Sequence, residues 1–157
     1  MPSRRHLIRM NASEIDQYLR AQRTITIVSN GKAGYPHPMP MWFCVTPAGV
    51  VQCATFAKSQ KVKNLRSDPR ASLLVESGEI YAEAQGVLIY ARTEITEDPE
   101  ALMDALVNIN ARGQALSEAE EAALRQRLAK IARKRVLLNF HPDRYVSWDH
   151  AKLNGGY

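Results

Sequence analysis

Thr55-Phe56-Ala57-Lys58-Ser59-Gln60-Lys61-Val62-Lys63-Asn64-Leu65 carries the chain out of an extended segment and into a short helix. Val50 to Thr55 is apolar and reads as a strand. Ser59 to Ser67 reads as a helix, with Val62 and Leu65 at i, i+3. Asp68-Pro69 ends it, because a residue before proline avoids the helical region. Ala71 to Glu76 is extended again, and Ser77-Gly78 makes a turn. The unit is strand, helix, strand, and the helix is short.

Upstream, Asn11-Ala12-Ser13-Glu14 looks like a capped helix start with Asn11 or Ser13 as the N-cap and Glu14 three after Asn11, and Ile15, Tyr18 and Leu19 continue at helical spacing to Arg20. Thr24 to Ser29 is β-branched and predicts a strand ending at Asn30-Gly31. Met39 to Val45 predicts a second strand, although Pro38 and Pro40 cannot donate to a ladder, so that part lies at an edge or runs irregularly. Downstream, Ile80 to Thr96 predicts one long strand with a bulge or bend at Gly86. Helices are expected over 98–111, started by Asp98-Pro99-Glu100 with Leu102, Leu106 and Ile109 on one face, and over 117–134, started by Ser117-Glu118-Ala119-Glu120, which resembles a capping box, with a stripe of Leu124, Leu128 and Ile131. Lys130, Arg133, Lys134 and Arg135 close the second helix and read as partners of its dipole. Val136 to Phe140 and Arg144 to Trp148 predict two short strands around His141-Pro142-Asp143. Closely spaced strands with late helices specify a small β-barrel or an α+β sheet. Neither GxGxxG nor GxxxxGK[ST] occurs, so Rossmann and P-loop readings have no support.

The 157 residues make one domain, 45% hydrophobic and 24% charged, which argues against disorder. No apolar run reaches the ~20 residues of a membrane span. The basic N-terminus is followed by no long apolar stretch, so no signal peptide is expected. Cys44 and Cys53 form neither a disulfide framework nor a zinc pattern. A cytoplasmic location without membrane partners is therefore expected. The net charge is +5. It is concentrated in Arg4, Arg5 and Arg9 and in the segment 58–70, where Lys58, Lys61, Lys63, Arg66 and Arg70 face Asp68 alone. Such a short segment suits a compact anion better than a nucleic-acid track, so no nucleic-acid partner is expected.

Two stretches carry chemistry. At the start of the 59–67 helix, free backbone N–H groups, the Thr55 and Ser59 hydroxyls and the charges of Lys58 and Lys61 would make a phosphate cradle without glycines. The alternative is a capped helix with surface lysines. In Gly34-Tyr35-Pro36-His37-Pro38-Met39-Pro40-Met41-Trp42-Phe43, prolines leave backbone groups unpaired, while Met41, Trp42 and Phe43 present flat, polarisable surface. Such an edge would hold a planar heterocycle, or the strand packs into the core. No side chain is marked out as a catalytic acid. His37, Tyr35 and Tyr81 are candidates by type alone, and water is an alternative proton source.

These stretches, together with Asp68-Pro69-Arg70 and Ser147-Trp148-Asp149-His150 followed by Lys152-Leu153, resemble the pyridoxamine-phosphate-oxidase-like superfamily of flavin and deazaflavin oxidoreductases. The resemblance spans about Asn11 to Tyr157, and the first and last motifs look like its coenzyme F420-dependent branch. It implies an antiparallel split β-barrel, mostly β with inserted helices, over 11–157, preceded by a frayed basic tail over 1–10. It implies a homodimer with cofactor sites at the subunit interface. The cofactor phosphate would lie on Thr55, Lys58, Ser59 and Lys61, with Asn64 nearby, and the ring along Pro40, Met41, Trp42 and Phe43. The implied reaction is hydride transfer from reduced F420 to an organic acceptor of the enone, quinone or tetrapyrrole type. Pyridoxamine-phosphate oxidases carry an Arg and a Lys on the second strand that serve FMN, whereas Pro38 to Phe43 has neither. FMN-dependent turnover and cofactor binding without turnover stay as alternatives. The two late helices are long for such a barrel, and they wall the pocket or extend the dimer contact.

Overall fold

A computed structural model describes residues 4–153. Seven strands form one antiparallel sheet in the order β2-β1-β5-β6-β7-β4-β3. They are β1 (Thr24–Asn30), β2 (Pro36–Trp42), β3 (Cys44–Val45), β4 (Val51–Phe56), β5 (Arg70–Ser77), β6 (Gln85–Thr96) and β7 (Arg135–Asp149). The helices are α1 (Ala12–Ala21), α2 (Gln60–Ser67), α3 (Pro99–Ala111) and α4 (Glu118–Ala132). The sheet curls until β2 comes alongside β4, which makes the α+β half-barrel that the sequence motifs imply.

Strand alternation creates two cores. Ile25, Ile27, Val51, Cys53, Leu73, Ile89, Leu138 and Phe140 point into the barrel, where α1 adds Leu19 and α2 adds Val62 and Leu65. The opposite faces of β4 and β7 present Ala54 and Leu137, which α3 and α4 cover with Leu106, Ile109, Leu124 and Leu128. The helices start where their caps predict. Asn11 and Glu14 form the capping box of α1, and Ser117 and Glu120 that of α4. Arg125 of α4 ties the two late helices together through Asp104 of α3, and Glu121 one turn earlier in α4 holds its guanidinium in place.

Four expectations change. Residues 80–84 do not extend the long strand, because Tyr81–Glu83 form a 3-10 turn and β6 starts at Gln85. The ladder irregularity is not at Gly86. Tyr90 faces Arg144 and Ala91 faces Pro142, so Asp143 is the extra residue, beside a proline that cannot donate. The two expected closing strands are consequently one bulged 15-residue strand. The basic tail is also shorter than expected. Met10 is buried and its N–H donates to Ser147 Oγ, while the Asp149 N–H donates to the Ile8 carbonyl. Lys152 donates to the Arg9 carbonyl and pairs with Glu14 at 2.7 Å. The C-terminal motif therefore anchors residues 8–14; residues 1–3 lie outside the described part.

β2 has an unusual free edge. Gly31 N–H bonds the Tyr35 carbonyl, and Phe43 N–H bonds the Arg23 carbonyl. These two bonds fix the phase of the β1–β2 ladder, so His37, Met39 and Met41 exchange bonds with β1. The alternate residues Pro36, Pro38, Pro40 and Trp42 turn their backbone groups outward. Three of them lack an N–H, so the edge displays a row of carbonyls with a single donor, at Trp42. The prolines thus occupy the edge positions their chemistry requires.

Candidate functional site

The groove begins where the sheet fails to close. β2 supplies Pro40, Met41 and Trp42 on one side, and α3 and α4 supply Leu106, Ile109, Asn110, Leu128 and Ile131 on the other. Its volume is about 440 Å³, enough for a flat tricyclic ring system. Trp42 is 51% exposed, with the Arg23 guanidinium stacked 3.6 Å from its ring centroid. The cation holds one ring face and leaves the indole as a rigid wall.

Arg135, the first residue of β7, closes the groove and opens a second one. It stands opposite Phe56 in the β4–β7 ladder, stacks on the Phe56 ring at 4.5 Å and donates one bond to the Ala54 carbonyl. Its Nε is buried without a partner, and no carboxylate pairs with it among the described residues. Burial pulls its pKa below the usual guanidinium value. The second cavity, about 640 Å³, is lined by Phe56, Ala57, Lys58, Arg133, Lys134 and Arg135, with Glu97 as its acid. Glu97 is itself bound by Arg66 at 2.7 Å, so the wall stays cationic.

Of the predicted cradle residues only Lys58 lines this second cavity; Thr55, Ser59 and Lys61 line neither cavity. Thr55 and Lys61 are both buried, and Lys61 Nζ donates to Thr55 Oγ1 at 3.2 Å. Lys61 is 6% exposed, without a carboxylate partner among the described residues. Burial lowers its pKa, and the neighbouring Arg135 charge adds to that. Ser59 is the N-cap of α2, but its hydroxyl makes no capping bond and is buried without a partner. Lys58 is exposed on the rim.

Some expected residues lie elsewhere. Phe43 is buried in the barrel core rather than in the groove, because the ladder phase turns it inward beside Met41. Asn64 is 1% exposed and fully used, donating to Ser29 Oγ at 3.1 Å and accepting from Gln60 at 2.8 Å. It latches α2 to β1 and does not reach the cradle. His37, Tyr35 and Tyr81 line neither cavity. His37 sits at the hairpin end opposite Ser29, Tyr35 is 80% exposed, and Tyr81 packs on His150 at the shared end of β6 and β7. The cysteines stay thiols at neutral pH: burial raises both pKa values, that of Cys44 to about 11.

Sequence reasoning missed Arg135; the late helices line the groove, one of the two roles expected of them. Ile131 was expected in the α4 stripe, yet it is 45% exposed over the groove. Arg135 was read as a dipole partner of α4. The inward positions Val136, Leu138 and Phe140 carried its signal, because alternation puts Arg135 outside with Leu137.

The sequence pattern of the pyridoxamine 5'-phosphate oxidase family matches residues 12–149. Among solved structures, a conserved hypothetical protein of Mycobacterium tuberculosis, Rv2991, shares 36% identity over 96% of this chain and 91% of its own, with a TM-score of 0.84. An F420 reductase superposes with a TM-score of 0.60 at 19% identity, over 83% of this chain and 94% of its own. A FAD-binding protein of Mesorhizobium loti does so at 0.60 and 16%, over 88% and 92%. These last two show the shared fold. No curated protein sequence matches the chain. By the sequence pattern that spans residues 12–149, the chain belongs to the pyridoxamine 5'-phosphate oxidase family.

Proposed function

We propose that this protein is an oxidoreductase that uses the deazaflavin F420, with the ring in the β2–α3–α4 groove and the phosphate in the Thr55–Lys61 cradle. The carrying observation is two of the four buried, unpartnered side-chain atoms among the described residues, Ser59 Oγ and Arg135 Nε (the others are His37 Nδ1 and Thr93 Oγ1), beside cations that no carboxylate among those residues neutralises. Leaving such groups unmet is costly, and an anionic oxygen satisfies both. Lys58, Lys61 and the first N–H groups of α2 complete the charge balance. When bound, reduced F420 supplies a hydride to an enone, quinone or tetrapyrrole acceptor. Trp42 and Met41 wall one side of the ring, and Leu106, Leu128 and Ile131 exclude water from the other. No Asp, Glu, His, Cys or Tyr lines the groove, so the proton comes from solvent. The absence of Arg and Lys from β2 favours the deazaflavin over FMN.

That same lack of an acid is what favours the second reading, a cofactor-binding protein without turnover. Titrating the protein with F420 and with FMN, followed by absorbance, separates these cases. Saturable F420 binding is expected, with Lys58→Ala weaker by roughly 1–3 kcal/mol. Binding of neither cofactor sinks the proposal, and F420 binding with no transfer to an acceptor panel selects the second reading.

The proposal includes a homodimer. Thr26, Leu74, Leu88 and Val146 make a continuous cross-strand row on the outer sheet face and belong to neither core. A second copy covering this row would bring two sites to one interface. Light scattering at micromolar concentration is expected to give the mass of two chains, and a monomer would overturn this part.

A further inference from the structure

A third cavity, about 460 Å³, opens behind Trp42, between the end of α1, the β3 segment and the end of α3. It shares Ile109 with the ring groove but faces the other way. Its charged lining is Arg20, Arg23 and Arg112, and it contains no Asp or Glu. Arg20 is already committed, bonding Asp16 at 2.8 Å and the carbonyls of Val45 and Thr46. Arg23 and Arg112 have no carboxylate partner among the described residues, and Arg23 lies flat on Trp42 at 3.6 Å.

Arg112 is also held in an uncommon backbone conformation. Its φ of 54° and ψ of 41° are left-handed, at the C-cap of α3, where glycine is the usual residue. It is the described non-glycine residue with positive φ. A cation near a helix C-terminus complements the dipole, but that role does not require an arginine in this strained position. Leu19, Phe43 and Ile109 supply apolar lining to the same cavity.

We infer that this cavity is a second binding site, for a small organic polycarboxylate, clamped by Arg23 and Arg112 with its carbon skeleton on the apolar wall. Guanidinium groups match carboxylates in a planar, two-bond geometry, which suits them to this ligand class. The site does not depend on the cofactor assignment, although Arg23 connects it to the ring groove through Trp42.

Citrate is the probe, added to the ligand-free full chain at constant ionic strength, with binding read by calorimetry and by tryptophan fluorescence. Saturable binding is expected, with a fluorescence change from loss of the Arg23–Trp42 stack. Arg23→Gln and Arg112→Gly are each expected to weaken it at least about tenfold, as losing one charge-assisted hydrogen bond does. Arg112→Gly relieves the left-handed strain, so it folds at least as well as wild type, and lost binding there cannot be put down to unfolding. Equal effects of citrate and sodium chloride, or unchanged affinity in both variants, would overturn the inference. So would a loss of citrate affinity in Lys58→Ala instead, which would place the anion in the cofactor cradle.

Discussion

Lys61→Met is expected to weaken cofactor binding about 10- to 100-fold while raising the melting temperature of the ligand-free protein. Lys61 is buried with one hydroxyl as its partner, and burial lowers its pKa from the ordinary 10.5. A buried cation without a counter-charge destabilises the folded chain. Methionine has similar length and no charge, so it fills the same space without that penalty. A gain of about 1 kcal/mol, or a few degrees, is reasonable for a domain of this size. The pH dependence has a definite sign. Between the lowered folded value and 10.5, the unfolded chain holds more protons, so wild-type stability rises with pH there. Lys61→Met lacks that rise, and its advantage shrinks on going from neutral to alkaline solution. Calorimetric scans at neutral and alkaline pH, beside an F420 titration, test both halves. A variant that loses stability and keeps affinity would make Lys61 a structural residue.

Gly86→Ala is expected to destabilise the fold by about 1–3 kcal/mol, the range for forcing atoms into a packed site. A Cβ at Gly86 would lie 2.1 Å from Trp148 Cζ2 and 2.6 Å from Cε2. Gly86 and Trp148 are direct partners in the β6–β7 ladder, so the indole lies across the glycine. The neighbour cannot give by a few tenths of an ångström, because a whole ring occupies the space. Trp148 adjoins Ser147 and Asp149, which hold the Met10 and Ile8 backbone, so displacing it loosens the N-terminal segment as well. Urea denaturation measures the loss. In Trp148→Ala the same glycine substitution should cost much less, and equal costs in both backgrounds would remove the clash as the cause.

Much of this fold was legible because local signals agreed with the final packing. The capping boxes at Asn11 and Ser117 start their helices as expected. The prolines of β2 announced an edge strand before any pairing was known. Where reading failed, the deciding contact lay far along the chain. Gly86 signalled a special backbone position, but the reason is a tryptophan 62 positions later. The alternation of Val136, Leu138 and Phe140 marks Arg135 as outward-facing, but only its pairing with Phe56 makes it the hinge between two cavities. Asn64 looked like a polar group near a phosphate, yet its bond to Ser29 needs the α2–β1 packing to be seen. The meeting of Thr55 and Lys61 was readable because a strand-to-helix junction gathers them within seven positions.

The run of carbonyls along β2 has one more consequence. A strand from a neighbouring molecule needs acceptors and donors in alternation to zip onto an exposed border, and here the donors are missing at Pro36, Pro38 and Pro40. The border therefore resists templated growth into fibrils even though Met39 and Trp42 stand exposed along it.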